Sequence, residues 1–325
     1  VSKTVTATFC RILSMKKNYP NKPTLFMLSG LPASGKSTYA KNLYDDLTYH
    51  GEEVYRVNKD LLRTMMHFDN WTYLNEKVIK DVEYRIAHNV LAGGSSVIID
   101  DTNLPLQRNL TAYSDLASKL GVNFEHHPME LQPFNEYVLR DRARKNGVGK
   151  SVILSMALRN NLFQHNSKGI ILCDIDNTVS NAKWREPLIR GREKNWDKFY
   201  SSSSEDAIIG ETFGFLKSLV YYGYTLVFLT GRPERYKNIT ESWLDKSLGL
   251  PYAGVIYRQN GDHSSTEHFK KKVLDKYFAN NQLKEIVYVI DDYGPVLQMF
   301  KDYFSKRGLT NTRIINSVSL VKRSN

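Results

Sequence analysis

The chain has 325 residues, 41% of them hydrophobic and 24% charged, with a formal net charge of +11. That length allows two domains, each burying its own core, and the composition is that of an ordinary globular protein rather than a disordered or fibrous one. No apolar run approaches the ~18 residues that span a membrane, and residues 1–22 hold no signal-peptide core.

Two cysteines, Cys10 and Cys173, are too few for a disulfide framework; Cys173 ends an apolar run and reads as a small buried residue. An intracellular, cytoplasmic protein is expected, in the host cytoplasm if viral. The positive charge is spread: 21 Lys and Arg stand against 16 Asp and Glu up to Asn166, and 24 against 18 beyond it. An excess on both halves suits a polyanionic partner, and it serves solubility equally well.

Residues 1–22 are polar and aperiodic and read as an N-terminal extension. From there apolar runs alternate with helical patterns: strand Thr24–Ser29, helix Lys36–Tyr49, strand Glu53–Asn58, helix Trp71–Leu91, strand Ser95–Asp100, helix Leu106–Leu120, strand Val122–Met129 and a helix opened by Pro133. This alternation predicts a parallel sheet covered by helices. A short polar stretch, Asn166–Gly169, fits a domain junction. The pattern then restarts with strand Gly169–Cys173, a helix within Glu205–Tyr222, and strands Tyr224–Leu229 and Glu285–Ile290. The expected architecture is α/β in two domains, 23–166 and 167–325.

Residues 30–37 read Gly-Leu-Pro-Ala-Ser-Gly-Lys-Ser, a complete G-x-x-x-x-G-K-S loop between an apolar strand and a helix. Gly30 and Gly35 let backbone amides turn toward phosphates, with Ser34 between them. Lys36 brings a point charge to the β and γ oxygens, and the Ser37 hydroxyl, followed by Thr38, can ligate Mg²⁺. Such a loop implies ATP but does not separate a kinase from an ATPase.

The acceptor side bears on that question. Asp60, past the second strand, can take the proton of an attacking hydroxyl, or it can cap the next helix. Arg63, three residues on, can hold an acceptor phosphate or be a surface charge. Asp101, Thr102 and Asn103 follow the third strand, where polar groups order Mg²⁺ or substrate, or cap a helix. Arg140 and Arg144, four apart after Pro133, suit a lid over the transferring phosphoryl group or a solvated basic face.

Residues 174–178 read Asp-Ile-Asp-Asn-Thr, directly after an apolar strand. Asp174 is the candidate nucleophile toward phosphorus, and Asp176 the acid and base. Thr230, at the end of the strand Tyr224–Leu229, can bind the transferring phosphoryl group. Lys270 can neutralise its charge. Asp291 and Asp292, with Asp174 and Asp176, can hold Mg²⁺.

Between Asp176 and Glu205 lies an insert carrying Trp184, Arg185, Arg190, Arg192, Lys194 and Trp196. Aromatics interleaved with cations suit a single-stranded nucleic acid, and a loop whose tryptophans pack on the domain fits as well. Arg258 and Asp262 are further candidates for the same mouth. The eight histidines show no metal-ligand spacing.

With both motif sets placed, the chain resembles the phage-type polynucleotide kinase/3′-phosphatases from about Thr24 onward. The kinase motifs come in the same order: the P-loop, Asn58-Lys59-Asp60-Leu61-Leu62-Arg63, Asp101-Thr102-Asn103, then Arg140 and Arg144. The resemblance implies that Asp60 is the general base for a 5′-hydroxyl, that Arg63 contacts the acceptor phosphate, and that Arg140 and Arg144 are lid arginines. The second half resembles the haloacid dehalogenase superfamily, which implies a Rossmann-like phosphatase fold. Asp174 then matches the nucleophile and Asp176 the acid/base. Thr230-Gly231-Arg232, Arg258, Lys270 and Asp291-Asp292 match later motifs. Tyr293 follows Asp292 where the phage enzyme has arginine.

The resemblance implies a bifunctional end-healing enzyme. It would phosphorylate 5′-hydroxyl ends of RNA or DNA, remove 3′-phosphates (2′,3′-cyclic phosphates included in some members), and hand the ends to a nucleic-acid ligase. It is compatible with a homo-oligomer. Two other classes stay open: a small-molecule kinase fused to a small-molecule phosphatase, and a nucleic-acid-binding module with an ATP switch.

Overall fold

The computed structural model describes residues 22–70, 72–163, 167–278 and 280–321. Residues 1–21 of the expected extension, Cys10, the Trp71 start of a helix, and Asn166 of the expected junction lie outside these. The chain divides into two compact units, one of residues 1–30 and 34–130, the other of 31–33 and 131–325.

In the first unit, β1 (Thr24–Ser29), β2 (Val54–Val57), β3 (Ser96–Ile99) and β4 (Asn123–Pro128) form an all-parallel sheet in the order β2-β3-β1-β4. Every residue of β1 and β3 is buried, as an unbroken apolar run in a two-sided sheet requires. Successive side chains feed opposite faces. Leu25, Met27, Val97 and Ile99 pack on Ile79, Ala87, Leu91 and Leu116 from the helices Tyr73–Ala92 and Leu106–Leu120. Phe26, Leu28 and Ile98 pack on Ala40 and Leu47 of the helix Lys36–Tyr49.

The second unit contains β5 (Ile170–Cys173), β6 (Ser180–Asn181), β7 (Ala207–Ile208), β8 (Thr225–Pro233), β9 (Gly254–Arg258), β10 (Ile286–Asp291) and β11 (Arg313–Asn316). Five of them form a parallel sheet in the order β11-β10-β5-β8-β9; β6 and β7 make a small antiparallel pair. From β5 the chain passes to β8 and β9 on one side, then crosses back to β10 and β11 on the other. The carboxyl end of β5 is therefore a switch point, where a crevice opens between diverging connections. Cys173, the last residue of β5, is buried as expected.

By packing alone, the compact units divide near residue 130 rather than at the expected 166/167. The helices Phe134–Arg142 and Lys150–Arg159 group with the second unit. Ser151 donates to Glu241 at 2.7 Å, Lys150 pairs with Asp245 at 3.1 Å, and a Cβ on Gly254 would fall 2.9 Å from Leu154. Among the described residues, no helix is long and apolar enough to cross a membrane.

Candidate active sites

The first site is built on the turn between β1 and the helix Lys36–Tyr49. Gly30 has φ 152°, and a Cβ there would sit 2.9 Å from Ser34 Oγ and 3.0 Å from Met129. Gly35 closes the loop at φ 92°, and no side chain caps the helix behind it. The first amides of that helix thus face the loop with the positive end of its dipole, an arrangement suited to phosphate. Lys36 is buried, its ammonium donating to the Gly30 carbonyl at 3.1 Å and to Ser34 Oγ at 3.2 Å. Ser37 and Thr38 are exposed on the first turn.

A short helix, Lys59–His67, follows β2 directly. Its cap is Asn58, whose Oδ1 accepts from Leu61 N at 3.0 Å. Asp60 is therefore not needed as a cap, and its carboxylate is 72% exposed. Arg63 reaches back to Asp60 and grips Glu76 with two hydrogen bonds of 2.9 and 3.1 Å. If Arg63 holds an acceptor phosphate, Arg63→Ala is expected to raise the KM for a 5′-hydroxyl oligonucleotide about tenfold, as loss of a charge-assisted pair does, with the KM for ATP little changed. An unchanged acceptor KM would remove Arg63 from the site.

The strand-end trio behaves differently from expectation. Asp101 is buried, accepting from Lys59 N at 3.1 Å with the Lys59 ammonium 3.6 Å away. Burial, then the neighbouring Glu83, push the Asp101 carboxyl well above its ordinary range. Lys59 also pairs with Glu83 at 3.2 Å, and Tyr113 donates to Glu83 at 2.8 Å. The Thr102 carbonyl accepts from Gly30 N at 3.1 Å, tying the end of β3 to the start of the loop. Asn103 is buried and donates to the Leu28 carbonyl at 2.6 Å. These contacts tie Asp101 and Asn103 to the base of the loop, while Asp101 Oδ2 and Asn103 Oδ1 accept no hydrogen bond among the described residues.

Arg140 and Arg144 belong to the second unit. The helix ends at Arg142, so Arg144 lies past it and the expected shared helical face is not formed. Arg140 is 4.0 Å from Glu136, and Arg144 is 3.5 Å from the buried Asp141.

The second site sits at the carboxyl ends of β5, β8 and β10. Asp174, Asp291 and Asp292 converge, each offering an oxygen within 4.8 Å of the others. It is the one such metal-ligating cluster among the described residues, and it contains no histidine. Lys270 is buried, its ammonium 2.9 Å from Asp174 and 2.6 Å from Asp291. Three carboxylates against one ammonium leave a deficit of two positive charges, which a divalent cation would neutralise, and an all-oxygen donor set is what Mg²⁺ takes. Burial, then Asp291, Asp292 and Asp176 against Lys270, raise the Asp174 carboxyl to about 8. Burial and Asp291 raise Asp292 to about 6.

The Asp176 carboxylate does not join that cluster, contrary to the sequence expectation for a metal ligand. It turns to two buried guanidiniums: Arg232, at 2.7 and 3.0 Å, and Arg185. They overcome its burial and lower it to about 2. Arg232 also reaches Ser203 and Thr240, each at 3.2 Å, so it positions Asp176 and presents no free face to substrate. Arg185, expected on a nucleic-acid-facing insert, is fully buried.

Asp206, unnoticed in the sequence, completes the network. It accepts from Arg185 Nε at 2.8 Å, from a terminal Arg185 nitrogen at 2.6 Å and from Trp184 Nε1 at 3.0 Å. Its only sequence signal is one more acid after Ser201–Glu205. Thr230 lies inside β8, not past it, fully buried and accepting from Arg232 N at 3.2 Å. Arg258 is buried at the end of β9, donating to the carbonyls of Gly231 (3.1 Å) and Ser264 (2.5 Å).

Two family models match. An AAA domain matches residues 25–159, and the Polynucleotide kinase PNKP phosphatase domain matches residues 168–313. A putative bifunctional polynucleotide kinase/RNA ligase of Autographa californica nuclear polyhedrosis virus is 22% identical over 312 residues, covering 87% of this chain. The chain spans only 42% of that relative's length. A chain of the Pnkp1/Rnl/Hen1 RNA repair complex aligns at 23% identity over 93% of this chain and 98% of its own, with a TM-score of 0.37. A class C acid phosphatase from Bacillus anthracis aligns at 14% identity over 56% of this chain and 83% of its own, with a TM-score of 0.33. The chain thus joins a region that matches an AAA domain to one that matches the Polynucleotide kinase PNKP phosphatase domain.

Proposed function

We propose that this chain heals broken nucleic-acid ends: it transfers the γ-phosphate of ATP to a 5′-hydroxyl and removes a 3′-phosphate from RNA or DNA. The observation that carries this reading is the pairing of a phosphate-cradling loop with an aspartate cluster inside a phosphatase domain of the polynucleotide kinase type. In the first reaction Asp60 accepts the proton of the attacking 5′-hydroxyl, the new P–O bond forms and ADP leaves. The loop amides and Lys36 carry the charge on the phosphates, and Arg140 and Arg144 act as lid arginines.

In the second reaction an oxygen of Asp174 attacks phosphorus and the bond to the 3′-oxygen breaks, leaving an aspartyl-phosphate. Asp176 is ionised in the free protein, so the proton it passes to the leaving oxygen arrives with the monoprotonated phosphate ester. Asp176 then takes a proton from water, which displaces phosphate and restores Asp174. Asp174, Asp291 and Asp292 would hold Mg²⁺, which would supply the charge neutralisation that lets an anionic nucleophile meet an anionic phosphate.

The products, a 5′-phosphate and a 3′-hydroxyl, are the ends a nucleic-acid ligase joins; the baculovirus relative carries an RNA ligase in its name. That supports RNA as the substrate and a ligase as the next enzyme. The test uses two oligonucleotides with Mg²⁺ and ATP, one with a free 5′-hydroxyl and one with a blocked 5′ end and a 3′-phosphate. Mass spectrometry should show a gain of one phosphate on the first and a loss of one on the second. Affinity for both should fall steeply with salt. No change in either mass while ATP is still hydrolysed, or a flat salt response, would point to small-molecule substrates instead.

A further inference from the structure

Resting on the phosphatase reading above, we propose that the open ring of Trp196, backed by Tyr200 and the buried Tyr236, forms a stacking platform. It takes the terminal nucleobase of the strand whose 3′-phosphate enters the Asp174 site. The helix Trp196–Ser201 sets Trp196 and Tyr200 four residues apart, on one face. Their rings are nearly parallel, 21° apart, with centroids 5.9 Å from one another. Tyr236, from the turn that follows β8, continues the row, its centroid 5.2 Å from that of Tyr200.

The rings of the row differ in exposure, and Tyr236, at its inner end, is buried. Trp196 is 44% exposed, so much of its ring is open to solvent; a large flat apolar surface left open beside a reaction centre is what a base can cover. Tyr200 is half-buried, and its hydroxyl has no hydrogen-bond partner among the described residues. Burial and then the Asp176 carboxylate push that hydroxyl up to about 12, against Arg258, Arg232 and Arg185. The helix that carries both rings is tied to the phosphatase carboxylate by Arg185, which donates to the Phe199 carbonyl at 3.0 Å and pairs with Asp176.

Cations edge the rings. The Arg235 guanidinium, 57% exposed, lies 4.9 Å from the Tyr236 ring, and the Lys194 ammonium 6.0 Å from the Trp196 ring. Open aromatic faces flanked by exposed cations recognise a single strand through base stacking and backbone charge. Of the tryptophans and cations of the insert, Trp196 and Lys194 have this setting, while Arg185 is consumed internally.

The experiment compares phosphate release from two 3′-phosphorylated oligonucleotides, identical except that one ends in an abasic nucleotide. Wild-type protein is expected to bind the abasic strand more weakly, through KM. Trp196→Ala is expected to raise KM for the ordinary strand about tenfold, within the range that loss of one base stack produces. Its kcat and its KM for the abasic strand should stay near wild type, so the preference collapses. Trp196→Phe, which keeps a ring, should retain the preference, and Trp196→Leu, which keeps bulk without a ring face, should lose it. An unchanged ratio in Trp196→Ala, or an equal rise on both strands, overturns the platform. Failure of the wild type to release phosphate from either strand overturns the phosphatase reading itself, and the platform with it.

Discussion

Lys36→Ala is expected to abolish 5′ phosphorylation while leaving 3′ dephosphorylation near wild type, and Asp174→Asn to do the reverse. Each loss should reach at least about a thousandfold in rate. Removing charge that stabilises a transferring phosphoryl group costs 10³ or more, and removing a nucleophile costs no less. Neither change should unfold the protein. Asp174→Asn takes one negative charge from a cluster that carries three carboxylates against one ammonium, so the remaining charges are better balanced than before. Lys36→Ala removes an ammonium whose partners are the Gly30 carbonyl and a serine hydroxyl at the loop. Steady-state rates on the two single-ended oligonucleotides decide the matter. Loss of both activities in both soluble, folded variants would sink the idea of two independent sites.

Both of those residues were legible because their motifs are local. A G-x-x-x-x-G-K-S turn after a buried strand, or an Asp-x-Asp after another, is set within a few residues by the strand that delivers it. The strands themselves were readable where they are unbroken apolar runs: β1, β3, β5 and β10 match their expected positions to within about a residue. The short β2 and the polar β4 also lie within about a residue of their expected bounds, but two later strands were not legible. β9 (GVIYR) and β11 (RIIN) carry too little apolar sequence to stand out, and they are strands because β8 and β10 pair with them.

Side-chain roles that depend on partners far along the chain were misread for the same reason. Arg185 looks like a nucleic-acid contact among tryptophans and lysines until Asp206, 21 residues on, takes it into the interior. Asp101 looks like an open strand-end ligand until Glu83 and Lys59 enclose it. Nothing in a local window reports such pairing.

That network sets the other large effect. Asp206→Ala is expected to destabilise the second unit by about 3–5 kcal/mol, the usual cost of leaving a buried charge without its partner. The reason lies in the balance of charge. Arg185, Arg232 and Asp206 have side chains with no exposure, and Asp176 is only 22% exposed. Two guanidiniums face two carboxylates, and deleting Asp206 leaves one positive charge uncompensated in a dry interior. It also strips the partner from Trp184 Nε1 and two hydrogen bonds from Arg185.

The phosphatase should suffer beyond the loss of stability, because Arg185 is one of the two groups holding Asp176 toward the site. The 5′ kinase activity, seated on residues of the first unit apart from its proposed lid arginines, serves as the internal control. Thermal melting followed by rates at a temperature where the variant is folded separates the two effects. Asp206→Asn, which keeps shape and loses charge, should fall between wild type and Ala in melting temperature. A melting curve for Asp206→Ala that overlays wild type would show that the buried charges are solvated by something other than this carboxylate. Normal 3′-phosphatase rates in a destabilised variant would show that Asp176 keeps its orientation through Arg232 alone.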